Sequence, residues 1–148
     1  MKKQNFYHLA MAAVVSIALS SCSLLGGGGN TPQFTLSDLQ GLWEENDTQH
    51  FVRFTTEQSN ETGYLYGREW HEDDDVFESD LKPYGDGWFK YKFETTNGGL
   101  HELHLMDNGG AEIPKEYIVS KLTSSELSYY EKDRPSVKYY FSKVTETR

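Results

Sequence analysis

The chain of 148 residues has one cysteine, four prolines and 14 basic side chains against 23 acidic ones. A single thiol forms no internal disulfide, so any folded part must be held by its core. The formal net charge of −9 repels phosphate backbones and excludes nucleic acid as a partner. The longest apolar run covers residues 9–19, shorter than the roughly 20 residues a helix needs to cross a bilayer. Beyond one short turn at 35–40, no stretch sustains apolar residues at helical spacing of three and four. The four glycines at 26–29 have no lysine beside them, so a phosphate-cradling loop is missing. No serine sits in a Gly-x-Ser-x-Gly elbow. No catalytic residue is assigned, no cofactor is expected, and the chain is read as a non-enzyme.

The front end carries the first positive signal. A basic start, Met1-Lys2-Lys3, precedes the apolar run and a small-residue exit, the layout of a secretory signal peptide over residues 1–21. Leu19-Ser20-Ser21-Cys22 resembles the lipobox of bacterial lipoproteins. The resemblance implies a diacylglycerol on the Cys22 thiol, cleavage before Cys22 and acylation of the new amino group. One acyl chain binds a membrane marginally, whereas two or three hold it firmly. Residues 22–34 would then be a lipidated cysteine and a flexible glycine-rich tether. The expected location is the bacterial cell envelope, exported and lipid-anchored, either periplasmic or on a surface-facing outer membrane. Without Lys2 and Lys3 the exported part has 12 basic and 23 acidic residues, a formal charge of −11. The acyl chains, not electrostatics, would hold the membrane.

Residues 35–148 are enough for one domain with a real core. Their side chains alternate with period two, and turn residues recur every eight to twelve positions, as in sequential antiparallel strands. In 88–94 the aromatics Phe89, Tyr91 and Phe93 share one face and Lys90, Lys92 and Glu94 the other. Val137, Tyr139 and Phe141 share a face in the last strand, and Leu103 and Leu105 do so in 100–106. Further strands are expected at 42–46, 51–56, 62–71, 76–81, 116–122 and 126–132. Asn97-Gly98 and Asn108-Gly109 mark tight hairpins, in which both central residues take positive φ. The fold class predicted is all-β: an antiparallel up-and-down barrel of about eight strands, with one short helical turn before the first.

Leu39-Gln40-Gly41-Leu42-Trp43 resembles the glycine-x-tryptophan start of lipocalins and of bacterial lipocalin-like domains. The run from Ile118 to Leu127 resembles the paired late strands of those bacterial domains, and Tyr139-Tyr140-Phe141 follows as an aromatic closing strand. Lys143 stands where lipocalins carry an arginine stacked over the tryptophan, and their threonine-aspartate-tyrosine turn is absent. The resemblance implies a lipocalin-like barrel over residues 35–148.

An eight-stranded barrel is just wide enough to be filled by side chains or to hold one small ligand. The exported part has seven Phe, nine Tyr and three Trp, so the expected interior is aromatic. It is assigned to Trp43, Phe54, Tyr64, Tyr66, Trp70, Phe89, Tyr91, Phe93, Leu103, Leu105, Tyr139 and Phe141. A small apolar or amphipathic molecule is the expected ligand. Tyr64, Tyr66, Arg68 and Trp70 share one face with Leu65 and Gly67 opposite, and a second reading turns that face outward. The barrel would then be plugged and would dock an envelope protein or glycan. The acidic run Glu72-Asp73-Asp74-Asp75 lacks the alternation and central glycine of a calcium loop. His101 and His104, three apart on a strand, face opposite sides and share no metal. No metal site is expected.

Overall fold

The computed structural model describes residues 33–74, 87–105 and 111–145, all within the compact unit Thr31–Arg148. One helical turn, α1 (Leu36–Leu39), precedes eight strands: β1 (Gly41–Glu45), β2 (His50–Gln58), β3 (Leu65–His71), β4 (Trp88–Glu94), β5 (Gly99–Leu105), β6 (Glu112–Leu122), β7 (Glu126–Glu131) and β8 (Arg134–Lys143). Each strand pairs antiparallel with the next. β1 closes on β8 through Trp43↔Lys143, Glu44↔Ser142 and Glu45↔Phe141, giving a closed barrel. Closure removes the unpaired edges that an open sheet would present. The expectations of a strand at 76–81 and a turn at Asn108-Gly109 lie outside the described residues.

α1 starts where Thr35 accepts a hydrogen bond from the Asp38 amide at 3.2 Å, an N-cap. Gly41, at φ 123°, then turns the chain into β1. The Trp43 indole lies fully buried above this turn and donates to the Leu39 carbonyl at 2.7 Å. Lys143, from the far end of the chain, sits 4.7 Å from the Trp43 ring. Its Nζ donates to the Gln40 and Asp38 carbonyls at 2.6 and 3.1 Å. The lysine thus lies over the first-strand tryptophan while tying the helical turn to β8. Lys143→Met is expected to cost about 1–2 kcal/mol through the lost cation–π contact and charge-assisted bonds. The check is the urea midpoint, which Lys143→Arg should largely restore.

β4 and β5 are joined by four residues, and only Gly98 (φ 75°) is left-handed. The two-residue turn predicted at Asn97-Gly98 is therefore a longer one. Asn97 accepts the Gly99 amide through its side chain at 2.8 Å and so needs no positive φ.

The core fills the end of the barrel next to α1. Trp43, Phe54, Phe89, Tyr91, Leu100, Val119, Leu127 and Phe141 are each 0–2% exposed. Phe54 meets the rings of Tyr91 and Phe89 edge-on at 5.0 and 6.0 Å. The Tyr91 hydroxyl donates to the Thr55 carbonyl at 2.6 Å, and burial pushes it up to about 12. Gly67 faces the same interior opposite Phe89. A Cβ at Gly67 would collide with the Phe89 ring, which occupies that place.

Candidate functional site

Directly paired residues on neighbouring strands share a face of the sheet, so the register sorts every side chain into barrel interior or exterior. Of the twelve residues assigned to the interior from sequence, Trp43, Phe54, Phe89, Tyr91, Phe93, Tyr139 and Phe141 turn inward. Tyr64 lies in the turn before β3, its amide donating to Glu61 and its carbonyl accepting from Ser59. The other four are corrections. Tyr66 and Trp70 pair with Lys90 and Phe51 and face outward, while Leu65, Gly67 and Glu69 face in. Leu103 pairs with Lys90 and Pro114, and Leu105 with Glu112. Both leucines are therefore outside, and Leu100, Glu102 and His104 take the interior.

The reason for the phase error is chemical. Hydrophobicity picks the inward face only if the interior is apolar, and half of this one is charged. At the end of the barrel remote from α1, alternating acids and imidazoles form a continuous chain. Glu45 Oε2 lies 2.9 Å from His50 Nδ1, and His50 Nε2 is 3.4 Å from Glu69 Oε2. Glu69 Oε1 is 3.3 Å from His104 Nδ1, and His104 Nε2 is 2.6 Å from Glu102 Oε2. Five residues from four strands span the interior from β1 to β5. An ionised carboxylate only accepts, so an imidazole between two carboxylates must donate from both nitrogens. The arrangement therefore favours the imidazolium form of both histidines.

The electrostatics follow. Burial alone would lower His104, but the hydrogen bonds to Glu102 and Glu69 outweigh it and raise the group to about 9. His50 is raised chiefly by its bond to Glu69, against its burial, with Glu45 adding to the shift. Burial would raise Glu69, yet His104 and His50 together hold it far below the ordinary carboxylate range. Phe89 stacks on the His104 ring at 4.8 Å and 12°, placing an aromatic face on the cation.

A group raised above its unfolded value of 6.5 stabilises fully below that pH and loses its contribution as pH rises through about 9. Glu69, lowered from 4.5, contributes above that value and fails as pH falls below it. Stability should therefore peak on a plateau between about pH 4.5 and about pH 6.5 and decline by on the order of 3 kcal/mol through the alkaline side. Urea unfolding at a series of pH values measures this. A curve flat through pH 9 would contradict the bridging arrangement.

Beside this chain, three inward tyrosines of β6, β7 and β8 touch one another. Tyr117 is 4.8 Å from Tyr129 and perpendicular to Tyr139 at 6.0 Å, and Tyr129 is 5.5 Å from Tyr139. Burial, and then the charge of Glu102, raise the hydroxyls of Tyr117 and Tyr129, so both keep their protons. A cavity of about 340 Å³ opens here, lined by Lys115, Glu116, Tyr117, Glu131, Arg134 and Tyr139 among others. Its carboxylates are largely committed. Glu131 accepts from the Tyr139 hydroxyl at 2.9 Å and from Arg134 Nε at 2.6 Å. Glu116 is bound by Lys132 at 2.6 Å and by His101 at 3.3 Å. Lys115, directly opposite Glu102 in the register, makes no ion pair among the described residues, and the Tyr117 hydroxyl has no hydrogen-bond partner there.

On the outside, Phe51 and Trp70 stack at 5.8 Å and 18°, with the Arg53 guanidinium 5.7 Å from the Trp70 ring. Tyr66 meets Trp88 edge-on at 6.1 Å, and Arg68 lies 5.0 Å from the Trp88 ring. Tyr66, Arg68 and Trp88 are buried although they face outward. His101 lies outside and His104 inside, as their spacing predicts. Among the described residues, no group of three or more histidine, cysteine, aspartate or glutamate side chains is placed to hold a metal ion.

Sequence reasoning missed Glu45, His50, Glu69, Glu102, His104, Lys115 and Tyr117. The available signal was the second phase of residues 100–104, Leu-x-Glu-x-His, which matches a half-apolar, half-charged interior as well as Leu103 and Leu105 match an apolar one. No protein-family model matches the chain, and no curated protein or solved structure is significantly similar to it.

Proposed function

We propose that the chain is an exported lipoprotein, anchored in the cell envelope through acylated Cys22, whose lipocalin-like barrel binds a small amphipathic molecule. The binding place is the cavity between β6, β7 and β8. The observation that carries this reading is a contrast between the two ends of the barrel. The end next to α1 is filled by side chains that almost no solvent reaches, whereas the rim formed by β6, β7 and β8 has a half-open cavity of about 340 Å³, lined by the inward Lys115, Tyr117, Glu131 and Tyr139 and by the outward Glu116. That cavity offers aromatic faces from Tyr117 and Tyr139 and polar groups to orient a ligand, the mixture small-molecule sites use.

Native mass spectrometry of the protein purified from its own envelope tests this reading. The expected result is a small molecule released intact on activation and an acylated mass at Cys22. Cys22→Ala should lose the acyl mass and leave the membrane fraction. Protein that arrives empty and that no envelope extract stabilises would end the binding reading; an unmodified thiol would end the anchoring one.

A second reading, docking of an envelope protein or glycan on the outer aromatic face, draws on the Phe51–Trp70 stack. It ranks below the first because Tyr66 and Trp88, the other rings of that face, are buried.

A further inference from the structure

We infer that the cavity at β6–β8 takes a short, ring-bearing monocarboxylate, its carboxylate on Lys115 and Tyr117 and its ring against Tyr117 and Tyr139. The inference rests on the binding reading above and narrows it to a ligand class.

Three observations lead there. First, the cavity's partnerless groups are mainly donors. Lys115 has no ion pair and Tyr117 no hydrogen-bond partner among the described residues, while Glu116 and Glu131 already accept from Lys132, His101, Tyr139 and Arg134. Asp133 is the remaining acid of the lining, and it is exposed at the turn between β7 and β8. A ligand gains most by bringing acceptors, and a carboxylate presents two oxygens in one plane to an ammonium and a phenol.

Second, the charge of the surroundings limits the ligand's charge. The lining sets Lys115 and Arg134 against Glu116, Glu131 and Asp133, and the field of Lys115 also reaches Glu69 in the neighbouring chain of acids and imidazoles. Lys115 is the cation of the lining without an ion pair among the described residues, so it matches one negative charge, whereas a phosphate dianion would meet the repulsion of the surrounding carboxylates.

Third, the barrel axis is blocked. Leu127 and Phe141, with Trp43, Phe54 and Tyr91, are 0–2% exposed, so no surface a water molecule could reach separates them. A long acyl chain has nowhere to descend, and the ligand's body must stay at the tyrosines. The perpendicular Tyr117 and Tyr139 rings offer a corner for a flat ring.

The test is calorimetric titration of the full chain with para-hydroxybenzoate, para-hydroxybenzamide and hexadecanoate. The expected order places the benzoate about ten- to a hundred-fold tighter than its amide, the range of a charge-assisted bond, with hexadecanoate weakest. Lys115→Met should abolish the preference for acid over amide. Tyr117→Phe, which keeps the ring, should weaken the benzoate about three- to ten-fold. Urea midpoints of both variants should stay close to the parent value, since neither group loses a hydrogen bond or a contact ion pair and Lys115 acts on Glu69 only through its field. Equal affinity for acid and amide, an unchanged Lys115→Met, hexadecanoate as the tightest ligand, or no binding by any of the three would each overturn the inference. The binding reading itself stands or falls separately, on whether a molecule of any charge co-purifies from the envelope.

Discussion

Replacing His104 by leucine is expected to destabilise the barrel by about 3–5 kcal/mol, the cost of leaving buried charge without its partner. Leucine fills similar space and still packs on Phe89, so the loss is electrostatic rather than a cavity. Glu69 and Glu102 would then face each other with His50 as the only imidazolium in reach of either. Glu102 is only 4% exposed and cannot turn to water. Replacing both partners, His104→Leu with Glu102→Leu, should recover much of the loss, because apolar pairs of similar volume often substitute for buried ion pairs at little cost. The double-mutant cycle, read from urea unfolding at constant m-value, therefore separates the His104–Glu102 pair from ordinary packing. Additive losses would mean that the two groups do not interact in the folded protein.

Phe89→Ala is expected to cost about 3–5 kcal/mol, the usual range for truncating a buried aromatic. This ring closes on Phe54, on Tyr91 and on the face of His104, and it also lies over the backbone of Gly67. The last contact gives the prediction its sharper form. In the parent chain Gly67→Ala should destabilise by about 1–3 kcal/mol, because the new methyl and the Phe89 ring claim the same space. In the Phe89→Ala background the same substitution should be nearly neutral, since its methyl enters the vacated volume. A Gly67→Ala penalty unchanged between the two backgrounds would remove Phe89 as its cause.

The fold was legible wherever alternation and turn chemistry agreed. Phe89, Tyr91 and Phe93, and Tyr139 with Phe141, stand on inward faces because a strand of large rings alternating with charges has one low-energy orientation. Trp43 is buried beneath Lys143, where the first and last strands meet. The site was illegible for a physical reason. Period-two alternation defines two faces but does not say which is inside, and hydrophobicity is the remaining guide. That rule fails for residues 100–105, because Glu102 and His104 are paired with each other and with Glu69, and paired charges can be buried where lone ones cannot. It fails again for Tyr66 and Trp70, whose face lies outside although Tyr66 is buried. The members of the acid–imidazole chain are separated by up to 59 positions, from Glu45 to His104. Their convergence follows from barrel closure and register rather than from local sequence.

Nitrogen NMR of the histidine rings at neutral pH addresses the divided interior most directly. The account predicts that His104 carries protons on both Nδ1 and Nε2 and loses one only as pH rises through about 9. A neutral His104 with one bare nitrogen at pH 7 would contradict it, because a carboxylate could not then be bound on each side.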